Sequence, residues 1–76
     1  MYTIHEEFIT IDDNRYPIEV FPISQKFNNY KDALKFFESE KDRLQNECGY
    51  TVIKNQPFKS ILKNPLPNIF TIITIV

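Results

Sequence analysis

One long helix constrains this chain more than any other feature, and both of its ends are marked. Asn29 has a side-chain oxygen able to accept from an unpaired N–H of a first helical turn. Asp32 follows three residues later, where an acid favours the positive end of the helix dipole. Gly49 is the only glycine in the sequence, and it falls where a left-handed residue closes a helix. No proline lies between Asn29 and Gly49. The spacing predicts a helix over about Tyr30–Cys48, roughly 28 Å long at ~1.5 Å per residue.

Tyr30, Ala33, Leu34, Phe37, Leu44 and Cys48 fall on one stripe at ~100° per residue, the pattern of a helix lying on a core. Two residues interrupt it. Lys41 lies near the middle of the stripe, so either its stem packs while its ammonium reaches past the sheet edge, or it holds a charge for an anionic ligand. Phe36 lies off the stripe beside Glu40 and Glu47, where a covering loop or a partner must account for it. The remaining helix surface alternates in sign, as a solvated face does.

The segments on either side read as strand pairs. Tyr2–Ile11 and Tyr16–Ile23 are rich in β-branched and aromatic residues and flank the polar turn Asp12-Asp13-Asn14-Arg15. Asp13 and Asn14 are the turn residues best suited to positive φ. A bulge near Glu6-Glu7 is expected, because the alternation changes face there. Pro17 and Pro22 place the return strand at an edge, or point its missing donors outward. Ser24–Asn28 reads as a short connection into the helix. Tyr50–Asn55 and Ile69–Ile75 are the later strands, the last apolar enough to be central or covered on both faces. Residues 56–68 read as an apolar, proline-containing loop, with one possible helical turn at Lys59–Lys63, that packs on the domain. The fold class is α+β, in the order β-β-α-β-β. One helix packs on one face of a mostly antiparallel three- to four-stranded sheet. One helix covers one face. The second face, carrying some of Phe21, Ile23, Ile53, Ile73 and Ile75, is either covered by the 56–68 loop or left as an apolar patch.

Seventy-six residues read as a single domain, 1–76, with 42% apolar residues to build its core. One cysteine excludes an internal disulfide and a cysteine-based zinc site. No secretion signal or membrane span is expected, which makes a cytoplasmic protein the default reading. Charge is uneven. All ten acids and six of the nine bases precede residue 48; Lys54, Lys59 and Lys63 follow it with no acid beside them.

Catalysis finds no footing in the sequence. His5 and Cys48, the one histidine and the one cysteine, lie on different elements, and Cys48 falls on the apolar stripe. His5 and Glu7 make two ligands on one strand face, short of the three or four a zinc ion takes. Paired carboxylates occur at Glu6-Glu7 and Asp12-Asp13; acid/base work needs one of a pair in a dry pocket that raises its pKa, and the solvated turn at Asp12-Asp13 argues against that there. One glycine rules out a phosphate-cradling loop. A chain this small also leaves little volume for a substrate pocket. The reading is a non-enzymatic interaction module with no cofactor and no metal, binding a protein partner or a second copy of itself. In size, Ile/Asn/Lys/Phe-rich composition and one-helix-on-a-sheet plan it looks like many small proteins of low-GC bacteria and their phages, which favours the expectation of a small binding protein, such as an accessory or inhibitor protein of a mobile element. Phe21, Phe36, Lys54, Phe58, Lys59 and Lys63 are the candidate partner-binding residues. The alternative is a weak single-stranded nucleic-acid binder using Lys54, Lys59, Lys63 and nearby aromatics.

Overall fold

Asn29 caps the helix in both directions. Its Oδ1 accepts from the Asp32 N–H at 2.9 Å, and its Nδ2 donates to the Asp32 carboxylate at 3.1 Å. In the computed structural model, which describes residues 1–76, this helix, α1, spans Tyr30–Glu47. Cys48 is its C-cap and Gly49 follows at φ 72°. The Tyr50 N–H then turns back to the Leu44 carbonyl at 3.0 Å. A Cβ on Gly49 would also meet Pro65 Cγ at 3.2 Å, so backbone and space both favour glycine.

Two strands precede α1, β1 (Tyr2–Ile11) and β2 (Pro17–Phe27). Three follow it, β3 (Thr51–Gln56), β4 (Lys59–Lys63) and β5 (Ile69–Ile75). They form one antiparallel sheet in the order β2-β1-β5-β4-β3. The α+β plan of one helix on an antiparallel sheet is therefore as expected, but with five strands instead of three to four. The additional strand is β4, at the place where a loop with a helical turn was expected. Pro57-Phe58 make a two-residue turn that sets Gln56 opposite Lys59. Along Lys-Ser-Ile-Leu-Lys, Ser60 and Leu62 are buried and both lysines exposed, a period of two. Neighbours on both sides then satisfy the β4 backbone, which no isolated helical turn would do.

Three further expectations are corrected. β1 has no bulge at Glu6-Glu7; its register runs unbroken from Tyr2 to Thr10, and the irregularity lies beside the turn. Ser24–Asn28 is no simple connection, since β2 continues to Phe27. Positive φ in the first turn falls on Arg15, at 67°, and not on Asp13 or Asn14. The prolines sit as predicted, for β2 is an edge strand. Thr3 and Val76 exchange both backbone bonds, so odd residues of β1 bond toward β5 and even ones toward β2. Pro22, opposite Glu7, therefore points its nitrogen outward, where no ladder needs a donor.

The core lies between α1 and one sheet face: Ile4, Ala33, Phe37, Leu44, Leu62, Ile73 and Ile75. Phe36 is half-buried against Phe27 at the end of β2, with ring centroids 5.3 Å apart, so a strand end covers it and not a loop. Cys48, expected on the packed stripe, is exposed; it is the C-cap, one residue beyond the last residue of α1. α1 is not long and apolar enough to cross a membrane.

Thr71 is fully buried on the central strand, and its hydroxyl has no hydrogen-bond partner. An orphaned buried hydroxyl is destabilising, and valine has the same shape without it. Thr71→Val should raise the unfolding free energy by ~1 kcal/mol in urea titrations. A loss of stability would mean that the hydroxyl has a partner after all.

Candidate partner-binding face

The face of the sheet turned away from α1 is uncovered. Residues 56–68 enter the sheet edge-on as the end of β3, β4 and its turns, and so do not lie across it. The smallest dimension of the molecule, 18 Å, fits two layers and not three. Its accessible surface of 5263 Å² also exceeds the ~4,900 Å² usual for a monomer of this mass.

Register fixes what the open face displays, because residues opposite one another in antiparallel strands point to the same side. One row runs Val20, Ile9, Phe70, Lys63 and Thr51. The next runs Pro22, Glu7, Ile72, Ile61 and Lys54. A third runs Ser24, His5, Thr74, Lys59 and Gln56. The middle of the face is aliphatic and its β3–β4 side is basic. Lys59 and Lys63 stand ~13 Å apart along β4. Ile61 lies between them, with Lys54 opposite it. Lys26 is also on this face, opposite Thr3. The face thus holds four of the nine bases and Glu7 alone of the ten acids. The charge imbalance along the chain has become an imbalance between two faces.

The apolar residues of this face are not those expected. Phe21, Ile23, Ile73 and Ile75 lie on the helix side, opposite or beside buried β1 residues, and Ile53 sits at the irregularity of β3. Ile9, Ile61, Phe70 and Ile72 take their place, since a shift of one residue exchanges the two faces of a strand.

The structure brings three of the six candidate residues together. Lys54, Lys59 and Lys63 share the open face. Phe58 is at the β3–β4 turn and leans on the helix side, its ring 6.2 Å from that of Tyr30. Phe21 is exposed on the helix side of β2, beyond the reach of α1. Phe36 is the half-buried residue described above. The residues that sequence reasoning missed, Ile61, Phe70 and Ile72, lie in alternating or apolar runs, which mark a strand but not the face it presents.

Lys41 belongs to the fold. Its Nζ donates to Asn55 Oδ1 at 3.0 Å, pairs with Glu38 at 3.2 Å and lies 4.8 Å from the Phe37 ring centroid. Ser60 Oγ donates to the same Asn55 oxygen at 2.7 Å. The ammonium does reach the sheet edge, and three partners there occupy it.

Glu6 is the other unusual charge. It is 4% exposed, on the core face of β1, and its Oε2 has no hydrogen-bond partner. Burial, then the nearby Glu40 carboxyl, push its pKa up to about 7, while Arg43 pulls the other way. Arg43 is committed to Glu40 by an ion pair. The group is closed under α1 and lines no cavity.

One cavity, of about 360 Å³, opens where the open face meets the turns at one end of the sheet, larger than expected for so short a chain. Ile11, Phe70 and Lys63 line it, all on the open-face side, together with Arg15 and Asp13 of the first turn and Asn68 before β5. The Ile11 N–H donates to the Asn68 carbonyl at 2.9 Å and ties the two turns together. No group of three or more potential metal-binding side chains occurs in the structure. The fold defines a small α+β protein with one open, basic-edged sheet face. Comparison with protein-family models, with curated proteins and with solved structures finds no match.

Proposed function

We propose that this chain is a non-enzymatic protein-interaction module that docks an acidic protein partner on its open sheet face, as an accessory or inhibitor protein does. The reading rests on one observation. An aliphatic strip and the lysines 54, 59 and 63 share a single uncovered face. The strip supplies burial at ~25 cal/mol per Å². The lysine side steers and orients a partner of opposite charge. Five strands of this length offer on the order of 600 Å², close to the ~800 Å² that each side of an ordinary interface buries.

Charge argues against a second copy as the occupant. Two open faces would bring eight lysines together against two glutamates. Aromatic content argues against single-stranded nucleic acid. Phe70 and the imidazole of His5 are the rings on the face, a sparse platform for stacking bases. The exposed thiol of Cys48 suits a reducing, cytoplasmic setting.

The test is affinity capture by the wild-type chain and by K54E/K59E/K63E, with nuclease-treated controls. The three lysines are exposed, so the variant should fold. An acidic protein should be recovered in stoichiometric amount by the wild type, survive nuclease and be lost with the variant. Capture unaffected by the charge reversal overturns the proposal. So does a wild-type chain that sediments as a dimer at tens of micromolar, or capture that nuclease abolishes, which would transfer the face to nucleic acid.

A further inference from the structure

The cavity at the end of the open face has a chemistry of its own. Its apolar part is Ile11 and Phe70, neighbours on the face that carries the aliphatic strip. Its cations are Lys63, from the basic side of that face, and Arg15, from the first turn. Asp12, also at the cavity, is held by the turn, its Oδ1 accepting from the N–H groups of Asn14 and Tyr16 at 2.9 Å each. Asp13, exposed at the turn tip, is the one acid at the mouth without such a partner. A volume of about 360 Å³ exceeds what one aliphatic side chain fills and holds an aromatic ring with a polar group attached.

Arg15 sharpens the picture. It sits at φ 67°, in the left-handed region where glycine rests without strain and a long side chain does not. A glycine would make the same turn at lower cost, but it would leave the cavity without its guanidinium. Backbone strain beside a binding surface is one place where stability is given up for contact.

We infer that this cavity is an anchor site for an aromatic group bearing a carboxylate, such as an aromatic side chain next to an acidic one on the partner. This deepens the reading of the open face and rests on it. The ring lies on Ile11 and Phe70, and the carboxylate pairs with Arg15 and Lys63. Anchors of this kind, seated in a pocket at the edge of a flat apolar face, carry a large share of the energy of an interface.

Two small probes with the same ring and opposite charge, 4-hydroxyphenylacetate and tyramine, test the inference by amide shift mapping on the intact chain. The anion should shift the amides of Ile11, Arg15, Asn68 and Phe70, and tyramine should bind roughly tenfold more weakly or not at all. Lys63→Gln and Arg15→Gly should each weaken the anion by about fivefold, whereas Asp13→Asn should tighten it. Lys35→Gln, on the exposed side of α1, should change nothing. Arg15→Gly should at the same time raise the melting temperature, which separates lost binding from lost folding. No shift with either probe, equal shifts with both, or an Arg15→Gly variant that binds as well as the wild type would each overturn the anchor. Such a failure is distinct from failure of the open-face reading, which is decided by capture with the three-lysine variant.

Discussion

Glu6→Gln is expected to leave stability unchanged near pH 4 and to raise it by ~3 kcal/mol above pH 7. In the folded chain, burial and then the Glu40 carboxyl hold the Glu6 proton to about pH 7, while a glutamate in water, as in the unfolded chain, releases it near pH 4.5. A raised carboxyl pKa means that the folded state binds the proton more tightly. Its stabilising contribution is complete below about pH 4.5. It falls by ~1.4 kcal/mol per pH unit as the pH rises, and is gone above the folded value. Glutamine keeps the shape and carries a permanent N–H donor toward Glu40, so it behaves as the protonated acid at every pH. Urea titrations of both proteins at pH 4, 5, 6, 7 and 8 measure this. Subtracting one series from the other cancels the contributions of groups the two share. A difference that does not change with pH, or a glutamine variant less stable at pH 8, would show that the Glu6 carboxylate is accommodated as an ion.

Phe37→Ala is expected to cost ~3–5 kcal/mol and to leave much of the population unfolded at 37 °C. Phe37 is the largest of the fully buried side chains, and only 11 of the 76 residues are buried, so no second core takes up the loss. A chain of this length holds a total of ~4–11 kcal/mol. The ring also underlies the Lys41 ammonium at 4.8 Å, and Lys41 in turn holds Asn55 of the edge strand β3. Removing the ring therefore loosens the attachment of β3 to α1 as well as the core. The check is the urea midpoint, together with amide exchange in β3. A shift of less than ~1 kcal/mol, or β3 exchange unchanged relative to β1, would mean that the helix repacks without this side chain.

Elements whose signals lie within a few residues were legible in advance. The helix, its Asn29 cap and its Gly49 terminator rest on contacts between residues three to six apart, and their side chains state those contacts directly. The edge position of β2 was legible for the same reason, since Pro22 lacks its donor wherever the chain goes. β4 was missed because three prolines between residues 56 and 68 argue for a loop. Two of them lie after the strand and one in the turn before it, and only pairing with β3 and β5 shows that Lys59–Lys63 lies clear of them. The Arg15 conformation was missed because turn preference points to Asp13 and Asn14, whereas the hairpin register assigns positive φ one position later.

The three lysines of the candidate site were visible as a charge imbalance late in the chain, but not their shared face. Which face α1 covers is a non-local property. Ile4 lies opposite Ile75, from the other end of the chain, whereas Lys54, Lys59 and Lys63 share a side already within the β3–β4 hairpin. A slip of one residue would have turned the lysines toward α1. The chain's local chemistry was enough for one capped amphipathic helix, strands on either side of it, and the conclusion that a single helix covers a single sheet face. The order of the strands and the cavity beside Arg15 depend on β1 pairing with β5 from the other end of the chain, and the packing of α1 decides that the side on which the β3–β4 hairpin gathers Lys54, Lys59 and Lys63 around Ile61 stays open; no short stretch of residues encodes either.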